Sequence, residues 1–309
     1  MIDRMLTSEE VLTGKDRCNI GSPTVIDNFQ MSDLWSVHWL RSLAGWNQTV
    51  GFWEGLAAAP SAEIYVVRLS GSVVGSASLW LYGRDLAWIG MVIVHPAYRG
   101  CRIGTGLLEH CLRRTDQLGM TTVGLDATPA GRGLYQQLGF VAGERLDRWE
   151  FNEVIRPNRA HEGNVSEVRS DERLDWPMVS TFDRDSSGLD RTPLLSMLES
   201  DCVRVRSAAS ATGDVQGYGC LRQGAVRSYL GPVLAESEAV GRDLVSSLLE
   251  GVGPEGAFWD IPADHATACA TARRLGFSPV RPLHRMWRSD AVRAARSDRV
   301  WGIVDPALG

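Results

Sequence analysis

The sequence predicts a mixed α/β (α+β) protein made of two tandem copies of one domain, each with a mainly antiparallel central sheet flanked by helices. Three short matches between the two halves support the duplication. The matches occur in the same order along both halves, which single chance similarities do not produce. They pair residues 74–79 with 216–221, 89–108 with 230–249 (without gaps), and 125–140 with 259–277.

The first half predicts the element order strand, two helices, three strands, helix, strand, helix and strand. Apolar runs bounded by glycine or polar residues indicate the strands. Apolar residues at helical spacing indicate the helices, and Pro60 and Gly139 end two of them. The predicted strands are 24–29, 63–69, 73–81, 86–94, 121–125 and 140–151, and the predicted helices are 31–43, 50–58, 103–118 and 132–138.

The domain boundaries follow from changes in composition along the chain. Residues 1–21 are polar without a clear period and predict an N-terminal arm before a first domain at 22–151. Residues 152–170 are polar and are interrupted by Pro157 and Gly163, so they predict a linker. A second domain at 171–290 and a C-terminal tail at 291–309 complete the prediction.

Composition and charge exclude several classes of function. The chain is 44% hydrophobic and 22% charged, as in soluble globular proteins, and its net charge of −5 gives no general affinity for nucleic acid or anionic membranes. It shows no apolar run of about 18 residues and no signal peptide. The six cysteines lack CxxC spacing, which predicts no metal site, no disulfide framework and reduced thiols in the cytoplasm. We expect a monomer or a homodimer.

Residues 89–108 combine an apolar strand, a turn rich in arginine and glycine, and the start of a helix. Backbone N–H groups and the helix dipole favour an anion at such a helix N-terminus. Gly100, Gly104 and Gly106 would give a phosphate close access, and Arg99 and Arg102 would add positive charge. The stretch therefore predicts a pyrophosphate-binding loop, with a glycine turn before an ordinary helix as the alternative.

Two motifs resemble the GNAT family of N-acetyltransferases. The run VHPAYRGCRIGTGLL at 94–108 is similar to the acyl-CoA motif of that family, and LYQQLGF at 134–140 is similar to its later motif. Arg99 and Gly104 match the first and last positions of the pyrophosphate loop, whereas Arg102 stands where the family usually has glycine. The resemblance covers about 24–151, and the second half resembles the weaker C-terminal domain of tandem bacterial acetyltransferase-like proteins.

The resemblance implies an acyl-CoA co-substrate, acetyl-CoA or a longer-chain acyl-CoA, and no metal. It also implies that the central strand splays from the next strand, so that its free backbone groups bind pantetheine. A backbone N–H near Val92 would polarise the thioester carbonyl. The expected CoA-binding residues are Val92, Ile93, Val94, Arg99, Gly100, Cys101, Arg102, Ile103, Gly104, Thr105 and Gly106.

Transfer of an acyl group to an amine requires that the ammonium lose a proton and that the departing thiolate gain one. The resemblance implies Tyr135 as the general acid. For the base, Asp126 at the end of a predicted strand and His38 on the first helix are candidates, and Asp85, Glu54 or a water relay remain open. Three of these residues also have a purely structural interpretation. Tyr135 would be an aromatic residue packed on a short helix, Asp126 a turn cap, and His38 a helix histidine whose hydrogen bonds are satisfied within the fold.

Several tryptophans fall where the family binds its acceptor. Trp35 and Trp39 are four residues apart and share a helix face. As a group these residues favour a large, partly apolar acceptor or a long acyl chain, and core packing is the alternative. The expected acceptor-binding residues are Trp35, Trp39, Trp46, Asn47 and Trp80.

The second half lacks the chemistry of the first. In the gap-free alignment, Val240, Asp243 and Val245 stand opposite Arg99, Arg102 and Gly104, and Ala272 stands opposite Tyr135. An acidic side chain and a β-branched side chain would repel and block a pyrophosphate. We therefore expect this half to bind no CoA and to supply one wall of the acceptor cleft.

Together these features predict an acyl-CoA-dependent N-acyltransferase that acylates a primary amine of a small molecule by direct attack. The tandem layout also resembles that of bacterial enzymes that acylate the amino sugar of glycopeptide antibiotics, which implies an amino-sugar acceptor and a role in antibiotic biosynthesis. The alternatives are a peptide or protein N-acetyltransferase and a non-catalytic acyl-CoA-binding sensor.

Overall fold

The computed structural model describes residues 25–151, 168–169, 176–289 and 297–309. The predicted arm at 1–21 lies outside the described residues, as does most of the predicted linker. The elements of the first half occur in the predicted order. They are β1 (Ile26–Asn28), α1 (Leu34–Leu43), α2 (Val50–Ala58), β2 (Ala62–Leu69), β3 (Ser72–Tyr82), β4 (Leu86–Val94), α3 (Ile103–Gln117), β5 (Thr122–Ala127), α4 (Arg132–Gln137) and β6 (Val141–Phe151).

In the first half, short 3-10 helices also precede α1 and lie between β4 and α3.

The second half repeats much of this order, with the short strands β7 and β13 added at its two ends. The elements of the second half are β7 (Val168–Arg169), α5 (Trp176–Ser187), α6 (Thr192–Leu198), β8 (Cys202–Ala209), β9 (Val215–Arg222), β10 (Ser228–Ala235), α7 (Glu238–Leu248), β11 (Ala257–Pro262), α8 (Ala266–Arg274), β12 (Ser278–Ser289) and β13 (Val300–Gly302).

The described strands form one 13-stranded sheet that runs through both halves, in the order β1-β2-β3-β4-β5-β12-β6-β11-β10-β9-β8-β7, with β13 paired to β10. Most neighbours are antiparallel, and β4–β5 and β10–β11 are the parallel pairs among them. The predicted fold class, two tandem copies with a mainly antiparallel sheet and flanking helices, is confirmed.

The last strands of the two halves are exchanged. Strand β6 of the first half pairs with β11 of the second, from Leu146 to Phe151. Strand β12 of the second half pairs with β5 of the first, from Thr122 to Ala127. The two exchanged strands also pair with each other at the centre of the sheet. The halves are therefore consecutive in sequence but interlocked in space, which the pattern of the sequence does not indicate.

Two buried ion pairs fix this exchange, one in each half. Arg285 on β12 donates two hydrogen bonds of 3.0 Å to the carboxylate of Asp126 on β5. Arg148 on β6 donates bonds of 2.8 and 2.6 Å to Asp260 on β11. Both aspartate side chains are fully buried. Because each arginine comes from the half opposite to its aspartate, each pair holds an exchanged strand in register.

Apolar layers cover both faces of the first half of the sheet. Helix α3 turns its apolar face, from Ile103 to Leu112, toward the side of β4 and β5 that carries Ile89 and Leu125. Helices α1 and α2 pack Leu40 and Trp53 on the other side. The hydroxyl of Thr49 caps α2 by accepting the N–H of Phe52 at 3.0 Å. These layers hold β4 rigidly at the centre of the fold.

None of the helices within the described ranges is long and apolar enough to cross a membrane. The same part of the chain contains no group of three His, Cys, Asp or Glu side chains that could hold a metal ion.

Replacing Arg285 with Ala should lower the free energy of unfolding by about 3–5 kcal/mol, because it leaves the carboxylate of Asp126 buried without a partner. Urea unfolding followed by tryptophan fluorescence measures the change. The matched control is Arg145→Ala, which breaks the exposed pair with Asp147 and should cost less than about 1 kcal/mol. Equal losses in the two variants would contradict the role given to the buried pair.

Candidate active site

Strand β4 contains a β-bulge at the point where the sequence predicts the thioester site. Ile93 pairs with Ser76 and Gly90 pairs with Ser78, so Met91 and Val92 together oppose Ala77. Met91 adopts a left-handed backbone with φ of 50°. Its carbonyl accepts a 3.0 Å hydrogen bond from the Ser76 hydroxyl. A bulge disrupts the regular ladder and redirects the backbone groups of the extra residue, which is the arrangement a carbonyl-polarising N–H requires.

The two central strands of the first half separate at this bulge. Parallel pairing between β4 and β5 runs from Leu86–Thr122 to Trp88–Gly124 and ends there. Beyond it, residues 89–94 and 125–127 no longer pair with each other. The splay expected from the resemblance is therefore present, and its open edge includes Val92, Ile93 and Val94.

The loop between β4 and α3 is open and arginine-rich. Arg99, Gly100 and Arg102 are exposed, and a Cβ added at Gly100 would meet nothing within 4 Å. At Gly104, only the Val94 side chain lies within that range, at 3.5 Å. The structure thus brings the predicted cradle residues, including Ile103, Thr105 and Gly106 in the first turn of α3, around one helix N-terminus that none of the described residues obstructs at Gly100.

Arg102 adopts the conformation that a glycine would adopt at this position. It precedes α3 with φ of 61° and ψ of 8°, in the left-handed region. A non-glycine residue in that region costs roughly 1–2 kcal/mol. The loop geometry is therefore kept without the glycine that the family usually has here, and a guanidinium is added beside the anion site.

Cys101 lies in the same loop and is disulfide-bonded. Cys111, Cys202, Cys220 and Cys269 are free. The expectation of reduced thiols is therefore wrong at Cys101, although it holds for these four.

Tyr135 lies on α4, directly after the splayed end of β5. Its ring packs over Gly131, where an added Cβ would approach Cε2 to 2.8 Å, and it meets Phe140 edge-on at 6.1 Å. Burial raises the pKa of the phenol to about 12. None of the described residues forms a hydrogen bond with the hydroxyl. Tyr135 therefore keeps its proton at neutral pH and has it free to donate.

The structure overturns the prediction that Asp126 is the general base. Both of its oxygens accept hydrogen bonds from Arg285, and the side chain is fully buried. Burial raises the pKa of this carboxyl, and Arg285 opposes that shift. Asp260 forms the corresponding pair in the half that has no counterpart of Tyr135, so the pair serves the strand exchange in both copies.

The basic nitrogen of the His38 ring already accepts a hydrogen bond within the protein. Nε2 lies 3.1 Å from Nη2 of Arg41, and because a guanidinium only donates, Nε2 must accept and Nδ1 must carry the hydrogen. Nδ1 is buried without a partner. Burial, with Arg41 adding to it, lowers the pKa of the imidazole. His38 is therefore neutral near pH 7, and it could accept a substrate proton only after Arg41 moves.

The predicted acceptor residues divide into two groups. Trp35 is 66% exposed, Trp39 stacks on His95 at 5.2 Å next to the end of β4, and Trp46 is half-buried beside them. By contrast, Trp80 is buried in the core beneath α1 and α2. It is a packing residue, and its assignment to the acceptor site is wrong.

Asn47 joins the two halves instead of facing a ligand. Its side chain accepts the N–H groups of Val226 and Arg227, each at 3.0 Å, and donates to the Arg227 carbonyl at 2.9 Å. Because the turn between β9 and β10 is hydrogen-bonded to both the oxygen and the nitrogen of this side-chain amide, Asn47 has no acceptor-binding role in this structure.

The strand exchange brings residues to the site that sequence reasoning missed. On the side of the sheet that faces α1, Arg285 lies 4.8 Å over the Trp88 ring, and Trp287 meets the same ring at 5.6 Å. Glu144 on β6 accepts the Trp287 indole N–H at 3.3 Å. The chain end closes over this cluster, since Trp88 Nε1 donates to the Pro306 carbonyl at 3.1 Å. Trp88 and Trp287 are only 1% and 6% exposed, so both rings are core residues beside the splay. The repeated aspartate at 126 and 260 was the available signal for a reciprocal arrangement.

The gap-free alignment of the two halves is wrong beyond β4. Gly75 and Gly217 pair with Val94 and Ala235, the last residues of β4 and β10. Their Cβ positions face Ile103 and Leu107 in the first half and Val240 and Leu244 in the second. Eight residues, 95–102, thus precede Ile103, but only four, 236–239, precede Val240. The loop of the second half is four residues shorter, so Val240 is the counterpart of Ile103 and Ala239 that of Arg102.

The second half has filled the space that a cofactor would need. Strand β13 pairs with β10 at Val233 and Leu234, the counterparts of Val92 and Ile93. The Trp301 ring lies against Gly241, where a Cβ would come within 2.0 Å of it. In addition, Phe277 bonds to the Ala272 carbonyl as Phe140 does to that of Tyr135, so alanine takes the place of the acid. That the second half binds no CoA remains a prediction, and these contacts now support it in place of the gap-free alignment.

Two family models match the chain, one in each half. The model of the acetyltransferase (GNAT) family matches residues 26–140, and a model described as an acetyltransferase (GNAT) domain matches 179–302. The chain belongs to the GNAT family. It is a tandem GNAT protein and an acyltransferase, and the fold implies acyl-CoA as its co-substrate.

Relatives and solved structures agree with this assignment. The uncharacterized N-acetyltransferase YitH of Bacillus subtilis is 27% identical over 211 residues, which are 68% of this GNAT chain and 72% of YitH. A glucosamine 6-phosphate N-acetyltransferase of Trypanosoma brucei brucei is 33% identical over 95 residues, 29% of this chain and 65% of that protein. A tandem GNAT protein from the clavulanic acid biosynthesis pathway has a TM-score of 0.67 at 19% identity, covering 88% of this chain and 100% of the other.

Isothermal titration with acetyl-CoA should give one bound molecule per chain, because β13 and Trp301 fill the second splay. The double variant Arg99→Ala/Arg102→Ala should weaken this single site through loss of two charges near the pyrophosphate. A stoichiometry of two equal sites in the wild-type protein would refute the assignment of the second half as blocked.

Proposed function

We propose that this protein transfers an acyl group from acyl-CoA to a primary amine of a small molecule, with the reaction confined to the first half. The single observation that carries the proposal is the arrangement along one strand. The β4 bulge at Met91–Val92 leads directly into the open arginine loop at the N-terminus of α3, and Tyr135 lies just beyond the splayed β5.

In the proposed reaction, the amine nitrogen attacks the thioester carbon without a covalent enzyme intermediate. The α3 N-terminus, Arg99 and Arg102 hold the pyrophosphate, and backbone N–H at the bulge stabilises the negative oxygen of the tetrahedral intermediate. The carbon–sulfur bond then breaks, and the thiolate takes the proton of Tyr135. The proton lost from the attacking nitrogen passes to solvent, with His38 or a relayed water as the alternative route.

The walls of the acceptor side support a small acceptor. Exchanged strands, α1 and the chain end surround Trp88, and Tyr82 donates a hydrogen bond to the Leu308 carbonyl. An extended peptide would need an open groove here. The exposed Trp35 and the half-buried Trp39 would contact an apolar ring face or a long acyl chain.

Within small molecules, we propose an amino sugar. The likeness to a glucosamine 6-phosphate N-acetyltransferase supports a sugar amine, and aromatic side chains such as Trp35 and Trp39 offer flat surfaces to sugar rings. A role in antibiotic biosynthesis follows from the resemblance to enzymes that acylate glycopeptide amino sugars. The clavulanic acid pathway protein shares the fold alone at its level of identity.

The decisive experiment is release of CoA thiol from acetyl-, hexanoyl- and decanoyl-CoA in the presence of glucosamine, glucosamine 6-phosphate or a lysine-containing peptide. We expect a sugar amine to accelerate release well above hydrolysis, and the peptide to do so weakly. Faster release with the peptide would favour a protein N-acetyltransferase. Tight acetyl-CoA binding without acceleration by any amine would replace the enzyme with an acyl-CoA sensor.

Tyr135→Phe should lower kcat by about 100-fold, because general acid catalysis contributes factors of this order, and should leave acetyl-CoA affinity unchanged. Since the pKa of Tyr135 is raised to about 12, its ionisation should cause no loss of activity below about pH 10. Tyr65→Phe is the control, because that hydroxyl bonds to Glu63 on β2, away from the splay. Wild-type turnover in Tyr135→Phe would remove the tyrosine from the mechanism.

A further inference from the structure

His95 is the residue at which β4 passes into the loop before α3, residues 95–102. Its N–H donates to the Val74 carbonyl on β3 at 2.9 Å, and its carbonyl accepts the Tyr98 N–H at 2.9 Å. Its ring nitrogen Nδ1 accepts the Ala97 N–H at 3.1 Å. One residue therefore attaches the first turn of the loop to the sheet, through its main chain and its side chain together.

The hydrogen bonds that hold this loop differ in length. The two that end on His95 measure 2.9 and 3.1 Å. The others that the described residues form within 94–101 are 3.3 to 3.4 Å long and involve Arg99 and Cys101, and hydrogen bonds weaken as they lengthen. Cys101 is also held by its disulfide. His95 thus anchors the beginning of the loop, and Cys101 anchors its end.

The His95 ring is neutral near pH 7. Burial lowers the pKa of the imidazole, and the positive charge of Arg99 adds to this effect. Since Nδ1 accepts the Ala97 N–H, the hydrogen of the neutral ring is on Nε2. The ring therefore acts on the loop as a hydrogen-bond acceptor and as an aromatic surface.

The same ring joins the loop to helix α1. Trp39 on α1 stacks on His95, with ring centres 5.2 Å apart and planes inclined by 24°. Tyr98, within the loop, contacts the His95 ring at 5.5 Å. Trp39 is itself packed against the core cluster beneath α1. The loop expected to hold CoA and the helix expected to border the acceptor are therefore in contact through one side chain.

The second half has different contacts at the equivalent position. Glu236 is the counterpart of His95, because it follows β10 directly and its N–H donates to the Gln216 carbonyl at 2.8 Å. Its side chain pairs with Arg299 at 3.8 Å, and the hydroxyl of Ser237 caps the next helix. The capping and stacking histidine thus occurs in the half with the long arginine loop and is replaced in the half that β13 fills.

We propose that His95 is a positioning residue for acyl-CoA, which fixes the loop through Ala97 and ties it to α1 through Trp39. This inference rests on the proposed acyl transfer in the first half and gives His95 no proton-transfer step. A loop already fixed in the free protein loses less conformational entropy when its ligand binds. Arg102 needs such support, because its left-handed backbone persists only where surrounding contacts impose it.

Three variants of the full chain separate the two contacts of the ring. His95→Asn keeps an oxygen that can accept the Ala97 N–H but removes the ring, His95→Phe keeps a ring but removes the acceptor, and His95→Ala removes both. Isothermal titration should give a Kd for acetyl-CoA that is raised about tenfold in His95→Ala and about two- to fivefold in the other two. His110→Ala is the matched control, since that ring contacts Tyr65 at 4.4 Å, and it should leave the Kd unchanged.

Turnover separates positioning from chemistry. With the panel amine that gives the highest kcat/KM, KM for acetyl-CoA should rise in parallel with the Kd, and kcat at saturating acetyl-CoA should stay at the wild-type value. Trp39→Ala should raise the Kd about threefold in the wild-type background but not in His95→Asn, which has no ring for Trp39 to stack on. This non-additivity measures the contact between the two side chains directly.

The outcomes distinguish this inference from the function on which it rests. An unchanged Kd in His95→Ala would overturn the positioning role even if the thermal midpoint fell, and so would a loss that neither His95→Asn nor His95→Phe recovers in part. A lower kcat with an unchanged Kd would place His95 in the chemistry instead. A wild-type protein that binds acetyl-CoA but turns over no amine would contradict the proposed acyl transfer, while the Kd series would still decide the role of His95. A wild-type protein that does not bind acetyl-CoA would contradict both.

Discussion

The reciprocal exchange of β6 and β12, fixed by two buried arginine–aspartate pairs, is the constraint on which the rest of the structure depends. Breaking either pair would leave a carboxylate in the low-dielectric core, so neither strand can leave its register cheaply. Since the exchanged strands form the centre of the sheet, each half completes the other. The core beside the first splay consequently contains Arg285 and Trp287 from the second half.

The two halves differ in their splays, because β13 and Trp301 fill the second splay and no described residue fills the first in the same way. Both halves keep the register break in the central strand and the parallel pair that ends at the splay. The loop between β4 and α3 in the first half is four residues longer than the loop between β10 and α7 in the second. In the second half, β13 and Trp301 fill the space at the end of β10. A strand that bonds to the edge of β10 satisfies the backbone groups that pantetheine would otherwise bind, so the second splay is stable without a ligand.

Local signals predicted the strand, loop and helix of the proposed cofactor side well. The apolar run of β4, the glycines of the loop and the helical spacing of α3 are encoded within about 30 consecutive residues, and the bounds of β4 and α2 match the prediction. Arg102 shows the limit of motif matching, because the backbone takes a left-handed conformation there whether or not glycine is present. The acceptor side was predicted poorly. Asp126 and Asn47 look functional in the sequence, but their polar atoms are hydrogen-bonded within the protein, and Trp80 is buried in the core.

The sequence by itself determined the fold family, the order of elements and the cofactor loop, because these depend on periodicity and on backbone conformation over short stretches. Only the tertiary structure decided which polar residues are available for chemistry. Arg285 lies 159 positions from Asp126 and Arg148 lies 112 from Asp260, and no local pattern specifies that those charges meet. The exchange of strands binds both oxygens of Asp126 to Arg285, so excluding this carboxylate as the general base required the assembled sheet.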